Sequence, residues 1–378
     1  MKIFIVNNFF PKEVIGGSEI QCWLLAKYLA KRGHQTSYLA LQGLLGKKQE
    51  ETDGVKIYYL SNKDDHKLKI FINFYKLLKK EKPNICYIRI FRYAFFLNKI
   101  SKFLKIPVVF NTSHINDCQP DLEKIKFSFN FLKFLKSIRI VIQRHLNFHA
   151  LRKMNIITIN KYHAKLLGEK YNIKAIPIYN SMEDNYDENQ SEKKKQIVWI
   201  NNIKGRKRPE AFIWLANQFK KSDYKFLMIG NLQSDDDCYE KMIKECENQN
   251  RNFRYLGGKT SEEVDKILAV SEIFVNTCAP EGFGNNFIQA WFNKCPTITL
   301  SFDPDNIIKN NQIGFHSRNQ KQMEKDLRKL MDDNNLRTTT GERARKYALE
   351  NHSIINNVKK YEKEFNKIIY ASNNKKNK

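Results

Sequence analysis

A carboxylate, a glycine-punctuated turn and a carboxamide fall together in residues 277–300, TCAPEGFGNNFIQAWFNKCPTITL. Glu281 opens the turn, Gly282 and Gly284 flank Phe283, and Asn285 and Asn286 begin a helical pattern that carries Gln289. Glu281 and Gln289 lie a little over two helical turns apart, so both fall on about the same side of that helix. The N–H groups at a helix start have no partner from a preceding turn and can bind an anion. Glycine lets a ligand approach that backbone closely. Such a turn suits a phosphorylated sugar. Residues 201–208 read as a basic loop between a strand and a helix. The pair Gly16-Gly17 stands between a first strand and a first helix, where open α/β sheets bind ligands. An ordinary loop is its plainer reading. His114 follows a strand end in residues 112–117, TSHIND, facing the same crevice as the glycine pair if the sheet is parallel. A lone histidine is more often structural.

The elements that must position these groups read as alternating strands and helices. Residues 2–7, 35–41, 55–60, 85–90, 107–111, 156–159 and 175–179 are short apolar runs, and helical spacing recurs between them. The order predicts a parallel sheet. Residues 183–195 are polar, charged and without apolar periodicity, which marks an interdomain linker. Strand patterns then restart at 196–200, 225–229, 253–256, 273–277 and 296–300. Ser261 is a plausible helix cap, and the Asn/Lys-rich residues 371–378 read as a disordered tail. The expectation is two Rossmann-like α/β domains facing a crevice, over 1–182 and 196–352.

Composition narrows the function. At 378 residues two domains are expected, and no apolar run is long enough for a transmembrane helix. The start, MKIFIVNNFF, reads as a strand rather than a signal peptide. The seven cysteines lack Cys-x-x-Cys spacing, so neither a zinc site nor a disulfide framework is supported, and a reducing cytoplasm is expected. His145 and His149 lack a third ligand. The dinucleotide fingerprint is absent from the first βα turn, which argues against an NAD-type site.

The net charge of +26 admits nucleic acid, an anionic membrane or a general lysine bias. Residues 122–153 interleave aromatic and aliphatic side chains with bases that include Lys126, Lys133, Lys136 and Arg139, Phe134 lying among them. Glu123 is the only acid there. Two readings stand, a helix at an anionic membrane surface and a core-facing helix with a solvated basic face. No nucleic-acid reading motif accompanies the bases.

Taken in order, these motifs resemble family 4 retaining glycosyltransferases of GT-B fold over essentially the whole chain. PEGFGNNFIQAWFNKCPTITL resembles the family segment built on two glutamates eight apart, and RKRPEAFIWLA the segment with a phosphate-binding lysine. IGGSEIQCWLLAKYLAKRGHQ resembles the first loop and helix, and ENHSIINNVKKYEKEF the closing helix. The resemblance implies that Lys207, assisted by Arg206, holds the donor diphosphate. It implies that Glu281 binds donor-sugar hydroxyls and that backbone amides over 283–286 approach the sugar and phosphates. Gly17 would lie beneath the diphosphate, and His114 near the transferring carbon. A helix over 353–370 would return to the N-terminal domain. Two positions depart from the pattern. Gln289 stands where the family has a ribose-binding glutamate, and Asn202 where it has an arginine. The implied donor is a nucleotide-diphosphate sugar, with no metal cofactor. The implied acceptor is a glycan, lipid-linked if the basic aromatic segment meets a membrane, in cell-surface polysaccharide assembly. A non-hydrolysing nucleotide-sugar epimerase shares the architecture but needs acid/base carboxylates that cannot be placed. A basic nucleic-acid-binding protein would leave residues 281–289 unexplained.

Overall fold

The computed structural model describes residues 1–14, 16–44, 48–61, 67–119, 131–188, 192–232, 237–280 and 282–374. Glu281 and Lys126, both expected to be functional, lie outside the described residues. The chain divides into two compact units, Met1–Ser181 with Ile354–Lys378, and Met182–Ser353.

The first unit begins β1 (Lys2–Asn7), α1 (Gly17–Lys31), β2 (Gln35–Ala40), β3 (Gln49–Thr52), β4 (Val55–Tyr59), α2 (Lys67–Glu81) and β5 (Ile85–Ile88). It continues through α3 (Ala94–Phe103), β6 (Val108–Thr112), α4 (Phe131–Leu151), β7 (Asn155–Thr158), α5 (Lys161–Tyr171) and β8 (Ala175–Pro177). The sheet order is β3-β4-β2-β1-β5-β6-β7-β8, and among the described residues only the edge strand β3 is antiparallel. Strand order reverses between β1 and β5, the kind of switch point at which α/β sheets take ligands. Successive side chains of β1 serve opposite layers. Phe4 and Val6 join Phe74, Leu97 and Phe148 from α2, α3 and α4, whereas Ile3 and Ile5 join Leu25 and Leu29 from α1. Sequence patterning misses β3, because its residues QEET are polar and half-exposed at an edge.

The second unit comprises β9 (Lys194–Ile200), α6 (Pro209–Gln218), β10 (Lys225–Ile229), α7 (Asp237–Gln249), β11 (Phe253–Tyr255), α8 (Ser261–Ala269) and β12 (Ser271–Asn276). Then follow α9 (Asn285–Phe292), β13 (Thr297–Thr299), α10 (Ile307–Asn310), β14 (Gly314–His316), α11 (Gln320–Asp332) and α12 (Asn334–His352). All six strands are parallel in the order β11-β10-β9-β12-β13-β14, so the switch point lies between β9 and β12. Gly230, just past β10, has φ +152°, and a Cβ there would stand 1.7 Å from the Asn201 carbonyl oxygen. Only glycine lets these two strand ends lie so close. Ser261 is not the cap of α8. Thr260 Oγ1 accepts from the Glu263 N–H while the Glu263 carboxylate accepts from the Thr260 N–H, a reciprocal capping box.

The stretch expected as the interdomain linker, 183–195, falls within this second unit. Asp184 pairs with Arg345 at 3.0 Å, Glu188 with Lys294 at 2.9 Å, and Tyr186 lies against both cations. Lys193 Nζ donates to the carbonyls of Ser271 and Asn293, each at 2.6 Å. Residues 194 and 195 already belong to β9. Polar composition hid this packing because ion pairs, not apolar burial, hold the segment. The last helix, α13 (Ile354–Asn374), returns to the first unit and runs past the expected end at 370. Its Val358, Tyr361 and Phe365 are buried with α1, and the Tyr361 ring lies 5.8 Å from that of Tyr87 in β5.

Candidate active site

In the second unit, the two loops singled out by sequence leave the two strands that flank the switch point. Loop 201–208 follows β9 and loop 277–284 follows β12. They are tied to each other. Thr277 Oγ1 accepts from the Trp199 indole at 2.8 Å, and its hydroxyl is shared between the carbonyls of Lys207 and Arg208, each at 2.8 Å. The Ala279 N–H donates to the Arg206 carbonyl at 3.0 Å, and Arg206 Nη2 donates to the Pro280 carbonyl at 2.7 Å. Arg208 turns the chain with φ 52° and ψ 54° and donates to Ser301 Oγ at 2.9 Å. These bonds fix Arg206 and Lys207 beside the turn that opens α9. Asn202 is exposed on the same loop.

The start of α9 carries no side-chain cap, since Gly284 stands at the cap position. Asn286 Nδ2 donates to the Ile200 carbonyl at 2.5 Å, tying the helix start to the end of β9. Phe283 points inward, its ring 5.0 Å from that of His352 and 6.1 Å from that of Trp291. Gly282, Gly284 and Asn285 complete the turn, and an anion here would meet backbone N–H groups rather than the Phe283 ring. Beneath them, Asn201 Nδ2 and Asn276 Nδ2 are buried donors without a partner among the described residues. Gln289 is also buried, and its carboxamide is held by Ser261 and Asp265 of α8. Sequence reading marked Ser261 only as a helix cap and passed over Asp265, because one acid among several on an amphipathic helix looks like part of a solvated face.

In the first unit, Gly16 caps α1 in extended conformation, and Gly17 is the first helical residue. The Glu19 carboxylate folds over this start, so that a Cβ on Gly16 would stand 2.3 Å from Glu19 Oε2. Burial pushes the Glu19 carboxyl up, opposed by a hydrogen bond from its own backbone N–H and by Arg89. Asn7 Nδ2 donates to Ser18 Oγ at 3.1 Å and joins β1 to α1. His114 follows β6, next to the strands of the switch point. Its Nδ1 accepts from the Asn116 N–H at 3.1 Å, so the neutral ring carries its proton on Nε2. The Asp117 carboxylate accepts from the N–H groups of Ser113 and His114 and fixes the turn. Arg89, just past β5, is buried and donates to Ser113 Oγ at 3.1 Å and Asn180 Oδ1 at 2.9 Å. Sequence reading passed over Arg89, which sits inside an apolar run. Among the described residues, no three His, Cys, Asp or Glu side chains are grouped to hold a metal ion.

Two family models together match residues 15–347. Residues 15–181 match "Glycosyltransferase Family 4" and residues 181–347 match "Glycosyl transferases group 1". The chain belongs to the family 4 glycosyltransferases. Solved structures agree on the fold, which is that of the GT-B glycosyltransferases. A glycosyltransferase from Rickettsia africae is 17% identical with TM-score 0.73, covering 97% of this chain and 98% of its own. Sucrose-phosphate synthase from Thermosynechococcus elongatus is 10% identical with TM-score 0.76, covering 98% and 100%. The Anabaena protein HepE, solved with UDP-glucose, is 12% identical with TM-score 0.71, covering 97% and 100%. A comparison with curated proteins finds no significant match. The two models meet at residue 181, where the glycosyltransferase's own division into compact units falls.

Proposed function

We propose that this glycosyltransferase moves a sugar from a nucleotide-diphosphate sugar to a glycan acceptor with retention of anomeric configuration. The observation that carries the reading is the locked pair of loops at the β9/β12 switch point. It sets Lys207 and Arg206 beside an uncapped helix start, both of which attract phosphate. Phosphoryl oxygens gain charge as the diphosphate leaves, so fixed cations and oriented N–H groups stabilise the transition state more than the ground state. Retention follows from attack on the same face that the diphosphate leaves, a phosphate oxygen taking the acceptor proton. The protein supplies positioning and electrostatics. Lys207, Arg206 and the α9 start meet the diphosphate charge without a metal ion. Glu281 and the backbone of 282–286 would hold the donor sugar, and Gln289 the ribose. His114 and Gly17 of the first unit would act on the transferring carbon and the diphosphate. HepE, which holds UDP-glucose, supports a nucleotide-sugar donor.

A thermal-shift panel of UDP-, GDP- and ADP-sugars tests the donor class. Stabilisation by one nucleotide class is expected, and none by any of the three overturns the reading. Lys207→Ala is expected to abolish transfer, and Arg206→Ala to weaken donor binding with transfer retained. Wild-type turnover in Lys207→Ala would sink the assignment.

The acceptor reading is a lipid-linked glycan in cell-surface polysaccharide assembly, reached by peripheral contact with the inner face of the cell membrane. It rests on α4. Leu132, Leu135, Ile140, Ile142 and Leu146 are all exposed on this helix, which carries Lys133, Lys136 and Arg139 and no acid. No helix among the described residues is long and apolar enough to cross a membrane.

A further inference from the structure

The carboxamide of Gln289 is used on one side only. Its Nε2 donates to Ser261 Oγ and to Asp265 Oδ1, both at 3.0 Å, with a longer contact of 3.4 Å to the Ser261 carbonyl. Its Oε1 has no partner among the described residues. Asp265 is held from the far side, where Asn185 Nδ2 donates to Oδ2 at 2.9 Å. Asn185 belongs to the polar segment that packs against this unit, and its neighbour Asp184 is paired with Arg345. Burial pushes the Asp265 carboxyl up, aided by Asp184 and Glu183, while the bonds from Asn185 and Gln289 oppose the rise.

A carboxamide can present either its oxygen or its nitrogen to a ligand. An ionised carboxylate at Asp265 removes that choice. Turned over, Oε1 would face a carboxylate oxygen with no proton between them. We infer that Asp265 is a positioning residue of the donor site, orienting Gln289 so that Oε1 accepts from the ribose hydroxyls of the bound nucleotide. This rests on the donor reading above, which places a ribose at Gln289. The acid and the amide together carry one negative charge, as a glutamate at 289 would alone. That charge stands behind the amide, polarises it and strengthens the bond Oε1 accepts. A glutamate at 289 would instead set two carboxylates 3.0 Å apart, where both cannot ionise. Asp265 and Gln289 are thus a matched pair, and exchanging the acid and amide between the two positions should preserve the function.

The test is calorimetric binding of UDP, GDP and ADP and of their 2′,3′-dideoxy counterparts to the full chain and to Asp265→Asn, Gln289→Glu and the double variant. The wild type is expected to prefer the nucleotide with both ribose hydroxyls by about tenfold. Asp265→Asn should reduce that preference to about threefold or less. Gln289→Glu should bind weakly at pH 8 and recover towards pH 5, as the two carboxyls come to share one proton. Asp184, Glu183 and Arg345 are common to all four proteins, so their own titration cancels in the comparison. The double variant should regain the wild-type preference without that pH dependence, which a merely structural Asp265 would not bring about. Undiminished preference in Asp265→Asn, or a double variant no better than Gln289→Glu, overturns the inference. So does a wild type that binds nucleotide without distinguishing the dideoxy form. A wild type that binds none of the three nucleotides overturns the donor reading itself, and this inference with it.

Discussion

Gln289 and His114 were singled out by residue type and position and Lys207 by resemblance, whereas the side chains that hold their surroundings in place were not singled out at all. Thr277 is an unremarkable threonine in sequence, yet its hydroxyl joins both loops. Asp117 and Asp265 are likewise acids without a motif that orient a neighbour. Spacing along one helix is legible because its period is fixed. A partner from another element is brought in by the tertiary fold, and no local period announces it. His163 is a further case. It is buried beside Thr112, whose Oγ1 lies 3.1 Å from Nδ1. Burial, with His114 adding to it, lowers its pKa from the usual 6.5 to about 4. The native ring stays neutral where the unfolded chain would take up a proton. Stability is therefore complete above pH 6.5 and falls as pH drops towards 4, by about 3 kcal/mol at most. Urea unfolding at pH 7 and pH 4.5 checks this, with His163→Gln expected to lose less stability on acidification than the wild type.

Among the elements, the long strands and most helices were legible because apolar period and chain punctuation agreed. The short polar strand β3 was not, and neither was the packing of residues 183–188 against α12. The case of α4 is different. Its composition was clear, but whether the apolar side faces a core depends on what packs against it. Among its described side chains, Asn147, Phe148, Ala150 and Leu151 of the last turn are buried and Phe134, Ile138 and Val141 are half-buried, so the core-facing alternative is met most fully at that turn. Arg144 donates to the Gln119 carbonyl and lies 5.5 Å from the Phe91 ring, anchoring the middle of the helix. An exposed apolar side of this extent, interleaved with bases, fits an anionic headgroup layer. Liposome flotation should therefore show binding that needs anionic lipid and weakens with salt. Replacing Leu132 and Ile142 by serine should reduce the bound fraction severalfold without changing the melting temperature. No binding at low salt would refute the membrane proposal.

At the scale of the molecule, the two sheets and their switch points follow from strands alternating with helices, which the sequence shows plainly. The return of α13 to the first unit does not. That part of the reading came from resemblance, since an amphipathic helix does not specify its partner. The buried side of α13 carries Val358, Tyr361 and Phe365, with Phe365 fully buried among Tyr87, Tyr361 and the α1 side chains. Truncating such an aromatic leaves a cavity, so Phe365→Ala should destabilise the first unit by about 3–5 kcal/mol. Chemical denaturation followed by limited proteolysis would locate the loss there. A chain ending at residue 353 should lose the first unit's cooperative unfolding transition while keeping that of the second.

That placement of α13 has a bearing on synthesis. The second unit is one uninterrupted stretch, Met182–Ser353, and can close as soon as it has left the ribosome. The first unit, though it emerges earlier, must keep its α13-facing layer open until α13 arrives. During that interval Tyr87 of β5, which the Tyr361 and Phe365 rings cover in the folded unit, lacks that cover. Of the two units, the one that emerges first is therefore the one completed last.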